Sequence, residues 1–584
     1  TDPAPNVVVI NAGLVTINQI VFNGNAGNDT VTLNSIRQGD GFDVRDVAGD
    51  GSDTVNVNTN IGVAGTPTGT NVRLRGETIN LNGSILMAAP ADVRLEGNVN
   101  LVSDVTIAIT GNRDIVSAAT IQGPGGLTVT STNNIQLLAN LGGTTPLAHF
   151  HATGARLIVQ NVTVTGDMSI TTDNLVLSPP LTTWAGGNTF SIAPFSAASS
   201  LVNMTLPQDA IAVTGFQNLS FGNAFTQSIT VASPINVPGF ISLTAATVTA
   251  NARITTGGAK NITANTVNLN SNLLGGSPLN ITALVGANPL VVNGQIGGRT
   301  WDAHNVNVFQ GTGGVIFNNN FGSNVIQGVV NGPGNITFTS NEAVNSQASI
   351  ALTGGLVTLG AGIRTANGGI TINGNVALAG PGTFRVGTGS SFIVTGAINA
   401  NGNNIAIRGV GGPINTVSIS GNVTNAGQFG IDSSGASTAQ NANVAGIAAN
   451  NIIIRALNIL LNGDQTSAAN VSLHGPTTLG ASLTITGGGV GTNVVETTAP
   501  LQSAGAHSLT INNGNARVIL GGTISGLTNL SITAGGGNAI NHNVTLLGAF
   551  SYINNGLLTN NATITAPGGF TIVATPFNNK GTLI

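Results

Sequence analysis

Acidic residues are concentrated at the start of this sequence of 584 residues. Seven of its 20 acidic residues precede position 54, and five of these lie in the stretch GDGFDVRDVAGDGSDTVNV at 39–57. Glycine-rich turns present backbone carbonyl oxygens and each Asp adds a carboxylate, so such a stretch can supply the about six to eight oxygens that Ca²⁺ binds. The alternative is a set of surface turns in which each Asp side chain bonds its own backbone.

Three segments resemble the calcium-binding nonapeptide of repeat-in-toxin proteins, G-G-x-G-x-D-x-U-x. GNAGNDTVT contains Asp29, AGDGSDTVN contains Asp50 and Asp53, and QGDGFDVRD, a partial match, contains Asp43. The resemblance implies Ca²⁺ as a cofactor held by these four residues. Because Asp29, Asp43 and Asp53 are separated by 14 and 10 residues, the spacing does not fit a tandem nonapeptide roll. Isolated calcium-binding turns and plain surface turns both remain open.

Two histidines in LAHFHATG, His149 and His151, lie at i and i+2. Side chains at this spacing share one face of a strand, a geometry that can begin a zinc site. No third ligand is nearby in the sequence. We therefore favour an exposed pair, or one satisfied by other hydrogen bonds.

The segment GGRTWDAHNV combines an acid, a base and an aromatic residue. Asp302 and His304 are expected on a common strand face, beside Arg299 and Trp301. General acid–base catalysis would use such a pair with one pKa displaced. The sequence gives no sign of burial there, so we interpret the segment as non-catalytic.

The chain is poor in the residues that polysaccharide lyases and glycosidases require. These enzymes need a groove lined with carboxylates and basic residues, and aromatic platforms for sugar rings. The whole sequence has two Trp and one Tyr. The densest group of charges after residue 60 consists of Arg73, Arg75, Glu77, Asp92, Arg94, Glu96 and Asp114. Charge compensation between neighbouring strands explains this group as well as catalysis does, so we predict that the protein is not an enzyme.

Composition restricts the class of protein. Charged residues make up 6% of the chain, against about 25% in ordinary soluble domains. Apolar residues make up 41%, which is too many for a disordered chain. Because the arginines are scattered and the net charge is −4, no basic stripe indicates nucleic-acid binding. No apolar run of about 18 residues predicts a membrane-spanning helix, and the absence of cysteine excludes a disulfide framework.

Short strand-like blocks such as NITF, GITI, FIVT and SLTI recur along the chain, each bounded by Gly or Asn. Like blocks are spaced by about 20 to 26 residues: Ile350 to Ile370, Ile370 to Ile393, and Leu483 to Leu509. A repeat of this length predicts a solenoid, because one unit cannot bury its apolar face alone. Asn and Gly suit the corners of the coils, and stacked Asn side chains predict amide ladders along the stack.

One segment, NNIIIRALNILLNG at 450–463, is long enough for a helix. Its run of isoleucines is β-branched, and the restricted χ1 of such residues favours extended backbone. We therefore predict two strands that meet near Arg455.

The texture of SLTITGGGVGTN, GGITINGNVALAG and LSITAGGGNAINHNVTLL resembles bacterial surface β-helix passengers of the filamentous-haemagglutinin and autotransporter kind. The resemblance implies an all-β, right-handed parallel β-helix and an exported protein. The first residues, TDPAPN, lack an initiator Met and fit a processed N-terminus of a secreted or cell-surface protein. We expect an acidic N-terminal segment over 1–60, acting as a junction or as calcium-binding turns, and a continuous solenoid over 61–584.

These observations favour an extracellular structural protein, the subunit of a surface filament, sheath or matrix fibre. Its expected partner is a further copy of itself, head to tail or side by side. A monomeric surface adhesin that binds carbohydrate or a neighbouring cell is the alternative, and a polysaccharide lyase or glycosidase is a third reading. No cofactor is required in this interpretation, although Ca²⁺ is allowed.

Overall fold

The computed structural model of the chain describes residues 20–24, 27–34, 42–46, 52–62, 71–87, 92–111, 113–177, 182–207, 211–298, 300–432 and 438–584. Strands predominate in these residues, and their one helical element is a 3₁₀ turn at Ser200–Val202. The chain divides into two units, residues 1–277 and 278–584. The predicted boundary near residue 60 stays a prediction.

Each unit is built as a parallel β-solenoid. In the first unit, Thr54–Val57 pairs in parallel with residues 78–81 of the next coil. In the second unit, Ile350 pairs with Ile370, and Leu483 pairs with Leu509. The chain makes about 23 turns of roughly 22 residues each. The predicted all-β parallel solenoid is confirmed, and its right-handed sense stays a prediction.

Many short parallel strands, one or more on each coil, position the sites described below. In the first unit they are Ile20–Gly24, Thr30–Leu33, Phe42–Asp46, Thr54–Val57, Val72–Leu81, Ile85–Met87, Val93–Leu101, Val105–Ile109, Ile115–Ser117, Ile121–Gln122, Leu127–Ser131, Asn134–Leu137, Phe150–Val159 and Met168–Leu177. In the second unit they are His304–Phe309, Val325–Asn331, Val344–Ser346, Ser349–Leu359, Ile363–Thr365, Ile370–Leu378, Gly382–Gly387, Ser391–Val394, Ile405–Val410, Thr416–Ile419, Val423–Ile431, Ala439–Val444, Ile447–Leu461, Gln465–Ser467, Val471–His474, Thr477–Leu479, Leu483–Thr486, Val494–Thr497, Leu509–Asn512 and Arg517–Leu520.

Alternate side chains of each strand fill the interior. In Val72–Leu81, the side chains of Val72, Leu74, Ile79 and Leu81 are fully buried, and those between them are half-buried or exposed. This is the period of two that a strand imposes on its side chains. Each fully buried aliphatic side chain contributes about 1.5–3 kcal/mol through the hydrophobic effect. The coils are therefore held together by their interior as well as by main-chain hydrogen bonds.

The segment with the isoleucine run, residues 450–463, lies mostly in a long strand whose parts pair separately with the next coil. Ile447–Leu461 is a single extended stretch, so the predicted β conformation is correct. Its three parts pair with three separate strands of the next coil, through Ile447, Ile452 and Ile459. The side-chain alternation breaks at residues 450–451 and 457–458. The two predicted strands were expected to meet near Arg455; instead one strand runs through this residue, and its alternation breaks two residues later and once before it.

One predicted spacing is wrong by a residue. Ile370 pairs with Phe392, and Ile393 pairs with Thr371. Phe392 is buried while Ile393 is half-buried on the outer face. A shift of one residue exchanges the inner and outer faces of a strand. In the observed register the ring of Phe392 lies in the interior, and Ile393 lies on the outer face.

Asparagine side chains form the predicted amide ladders between coils. In the first unit, Nδ2 of Asn80 donates to Oδ1 of Asn56 over 2.8 Å, and Nδ2 of Asn100 donates to Oδ1 of Asn80 over 3.2 Å. In the second unit, Nδ2 of Asn307 donates to Oδ1 of Asn280 over 2.9 Å. These bonds satisfy outward-facing amides without placing like charges on neighbouring coils.

Candidate functional sites

Three acidic residues at the start of the described chain form one column along successive coils. Asp29, Asp53 and Glu77 each immediately precede a strand position that is paired in register with the next coil. The backbone N–H of Asp29 donates to Oδ1 of Asp53 over 2.8 Å, and that of Asp53 donates to Oε2 of Glu77 over 2.6 Å. Each of these two carboxylates thus binds the backbone of the preceding coil. The interpretation that each Asp bonds its own turn is wrong for Asp53.

Asp53 is the enclosed member of this acidic column. Asp53 is 5% exposed, and its Oδ2 atom accepts no hydrogen bond from any described residue. A buried carboxylate oxygen without a partner is costly unless a cation or a proton neutralises it. In the same residues no group of three or more His, Cys, Asp or Glu side chains is placed to hold a metal.

Calcium binding by Asp29, Asp43, Asp50 and Asp53 stays a prediction. Asp43 belongs to the strand Phe42–Asp46, but its side chain and the whole of Asp50 lie outside the described residues. Asp29 and Asp53 are 24 residues and one coil apart, so they do not follow a nonapeptide roll. Glu77 was missed because it lies outside any Gly-Asp motif, although its interval of 24 residues from Asp53 equals one coil.

His149 and His151 are brought together as a stacked pair. Their ring centroids are 4.7 Å apart and the ring planes differ by 28°. Burial, with a further contribution from His149, lowers the pKa of His151, and Asp167 opposes this shift. A neutral imidazole can bind a metal, but among the described side chains no third ligand completes a site with this pair.

The structure separates the predicted acid–base pair. The strand His304–Phe309 begins at His304, whose ring is buried inside the coil with 1% of the residue exposed. Its Nδ1 donates to the backbone oxygen of Asp302 over 2.6 Å. Asp302 itself precedes the strand and is exposed, so the two side chains do not share a strand face as predicted. Trp301 is buried, and Arg299 lies outside the described residues.

The charged group around residues 73–96 contains ion pairs between acids and arginines, which is the charge compensation that the sequence left open beside catalysis. Oε2 of Glu96 lies 2.7 Å from Nη2 of Arg73 and 4.0 Å from Nε of Arg75. Oδ2 of Asp92 lies 3.9 Å from Nη2 of Arg94. Arg73 and Arg94 are paired in register on adjacent coils, so the acids neutralise a stacked pair of arginines.

A second arginine stack in the other unit was not predicted. Arg364 is paired in register with Arg385, and Arg385 with Arg408, on three successive coils. We call these three residues the arginine column. They were interpreted as scattered because they are 21 and 23 residues apart in the sequence. Both intervals equal one coil, and this is the signal that would have found the column.

A mixed cluster lies further along the second unit. Arg455 is paired in register with His474, and Nε2 of His474 lies 3.7 Å from Oε1 of Glu496. Burial is the main cause that lowers the pKa of His474, followed by Arg455, while Glu496 opposes both. This cluster therefore contains its own counter-ion, as the group around Glu96 does.

Fold and surface together define a repeat protein of the parallel β-solenoid class. No protein-family model, curated protein or solved structure matches the chain. Within the described residues no helix has the length and apolar character needed to cross a bilayer. The resemblance to bacterial surface β-helix passengers is consistent with the fold, and what it implies about location and assembly belongs to the proposal that follows.

Proposed function

We propose that the protein is an extracellular structural protein, the subunit of a cell-surface filament, sheath or matrix fibre. The observation that carries the proposal is the repeated parallel stacking of coils over about 23 turns. In a parallel ladder every coil offers the same pattern of N–H and C=O groups to the coil on each side. An edge of this kind is a template for a further strand, so a second copy of the chain can continue the stack.

The outer surface supports close association of copies. The chain has 16 basic and 20 acidic residues in 584, so charge repulsion between flanks is small. Outward-facing amides are already bonded along the ladders, as at Asn56, Asn80 and Asn100. A non-closing, head-to-tail contact between identical subunits generates an open fibre.

Electron microscopy and sedimentation of the purified protein over a range of concentrations test this proposal. A structural subunit elongates as the concentration rises, and protease treatment of intact cells should remove it from their surface. A protein that stays monomeric at every concentration would contradict assembly and would favour the alternative, a surface adhesin. A protein protected from protease in intact cells would contradict the extracellular location.

The acidic column of Asp29, Asp53 and Glu77 is the basis for a proposal about where assembly is regulated. We propose that the N-terminal acidic segment is a junction clamped by Ca²⁺, with Oδ2 of Asp53 as one ligand. Ca²⁺ should then raise the thermal stability of the wild type, and Asp53→Asn should remove that effect. Asp104→Asn is a matched control, because Oδ1 of Asp104 also accepts a backbone N–H from a neighbouring coil, that of Gly126. Stability and assembly that are unchanged by a chelator would contradict the calcium clamp.

A further inference from the structure

The arginine column places like charges directly above one another. Strands of neighbouring coils are about 4.8 Å apart, so the backbones of Arg364, Arg385 and Arg408 follow one another at that spacing and bring three positive charges to one flank. Like charges directly opposite one another on adjacent strands are destabilising. Consistent with this, Arg408, then burial, then Arg364 lower the pKa of Arg385. In a chain with 16 basic residues, this concentration of charge needs a physical reason.

No counter-ion for the arginine column is found within the described residues. The ion pairs there involve other arginines and His474, at distances from 2.7 to 4.0 Å. On the next coil, Asp432 follows Ile431, which is paired with Ile407, so the backbone of Asp432 lies beside that of Arg408. Asp432 is 1% exposed, whereas Arg364 is exposed and Arg385 and Arg408 are half-exposed. An exposed acid, Glu342, lies three residues before Asn345, which is paired with Arg364, and it forms no ion pair with that arginine. Among the described residues, the three arginines of the column therefore have no acid within 4.0 Å.

Small residues lie beside Arg385 and Arg408. The residues two positions before Arg385 and Arg408 on the same face are Thr383 and Ala406, which are paired in register and are small. The turns that follow the two strands contain Gly389 and Gly411, and a Cβ added to either would meet nothing within 4 Å. The turns next to Arg385 and Arg408 therefore leave open space at these two glycines.

We propose that the arginine column binds a linear acidic polysaccharide, with one carboxylate or sulfate group of the polymer at each guanidinium. Guanidinium groups match carboxylate and sulfate oxygens through paired N–H donors, and such charge-assisted bonds are among the strongest in proteins. A bound polyanion supplies the counter-charge that no described acid provides within 4.0 Å of these guanidinium groups. The inference concerns one flank of the second unit and does not depend on self-association.

A polysaccharide fits this surface better than a nucleic acid does. Single-stranded nucleic acids are held by basic grooves with aromatic side chains on which the bases stack. The column and its neighbours Thr383 and Ala406 contain no aromatic side chain, and the protein as a whole has a net charge of −4. Three charges in a line suit a polymer with a regular charge repeat, rather than a single small anion.

Binding of length-defined polygalacturonate and heparin oligosaccharides to the full chain, measured by calorimetry, tests the proposal. We expect the wild type to bind at least one of the two, more weakly as NaCl is raised to about 0.5 M because the contacts are electrostatic. Polygalacturonate tests recognition of carboxylate groups alone, and heparin adds sulfate groups. Arg385→Gln should weaken binding at least about tenfold, since it removes a charge-assisted contact at the centre of the column. Arg517→Gln, at an exposed arginine on another strand, should leave binding unchanged.

Several outcomes would overturn the proposal. They are a wild type that binds neither polysaccharide, an Arg385→Gln variant that binds as tightly as the wild type, and single-stranded DNA of equal charge that binds more tightly than both. Inorganic sulfate that binds as tightly as the oligosaccharides would likewise show a simple anion site. The melting temperature of Arg385→Gln should equal or exceed that of the wild type, because the substitution relieves repulsion, so lost binding is not lost folding. Arg364→Gln, at the exposed end, should show a smaller loss of binding.

Discussion

The two arginine stacks of this protein have the same backbone geometry and different partners. In the first unit, Arg73 and Arg94 are in register, and Glu96 and Asp92 lie within 4.0 Å of them. In the second unit, the arginine column has three members in register and no acid within that distance among the described residues. The solenoid accepts both arrangements because outward side chains do not contribute to the buried interior.

The difference separates a structural use of charge from a binding use. A stack with its own counter-ion is neutral and adds to cohesion between coils, as the 2.7 Å pair of Arg73 and Glu96 does. A stack without one weakens the free protein and leaves its charge available to a ligand. The compensated stack is the reference against which the arginine column can be tested.

The largest expected effect is a steric one at Gly97, in the strand that carries Arg94 of the compensated stack. Gly97 follows Glu96, has φ of +157°, and a Cβ there would lie 1.6 Å from the backbone oxygen of Gly76. Gly97→Ala should destabilise these coils by about 3 kcal/mol or more, measured by amide hydrogen exchange of Val93–Leu101. Gly389→Ala, with φ of +70° and nothing within 4 Å, is the control and should cost about 1 kcal/mol. Equal losses in the two variants would contradict the close approach.

Removal of the internal counter-ion should convert the first stack into one like the second. Glu96→Gln leaves Arg73 and Arg94 stacked without a close acid on Arg73, and we expect a loss of about 1 kcal/mol because the pair is partly exposed. Hydrogen exchange and thermal unfolding at low and high salt measure it, and salt should reduce the loss. Glu342→Gln, at an exposed acid, should have no effect. If the loss of stability in Glu96→Gln did not depend on salt, its cause would be altered packing and not the removal of a charge.

Insertion of an acid into the arginine column should raise the stability of the free protein, whereas loss of Glu96 lowers it. Arg385→Glu creates an alternating stack with Arg364 and Arg408, and we expect a gain of about 0.5 kcal/mol in the stability of the free protein. Thermal unfolding in low salt measures the gain, and Arg517→Glu is the matched control. A destabilised Arg385→Glu would show that the column is compensated by a group that the register does not reveal.

The smallest expected effect is a pH dependence at His474. Its pKa in the folded protein is lowered from 6.5, so the unfolded chain binds the proton more readily. Stability from this group is therefore present above about pH 6.5 and declines as the pH falls through that value. His474→Gln should reduce the decline in melting temperature on acidification. His151→Gln is a parallel variant with the same direction of pKa shift, and a steeper decline in either variant would contradict the assigned sign.

Much of the fold could be predicted from the sequence because strands and coils leave periodic traces. The alternation of β-branched residues, the block spacing of about 20 to 26 residues and the Asn-rich corners predicted a parallel solenoid with amide ladders, and the structure has both. Finer details were less accessible. The one-residue error at Ile393 arose because two apolar neighbours, Phe392 and Ile393, fit the period equally well.

The candidate sites were harder to predict because they depend on which residues stack. Motif matching identified Asp29 and Asp53 but not Glu77, which joins them only through the coil register. It paired Asp302 with His304, although the first strand position is His304 and its ring faces the interior. Short motifs record neighbours along the chain, whereas sites on a solenoid are formed by residues about one coil apart.

The sequence by itself determined the solenoid class, the mainly apolar interior and the largely uncharged surface, because these follow from local alternation and composition. Only the tertiary structure decided the register of each coil on the next. Since each coil contains turns of variable length, the interval between stacked residues varies, as in the 21 and 23 residues that separate Arg364, Arg385 and Arg408. A distance along the chain becomes a contact only when the backbone hydrogen bonds between coils have fixed that interval.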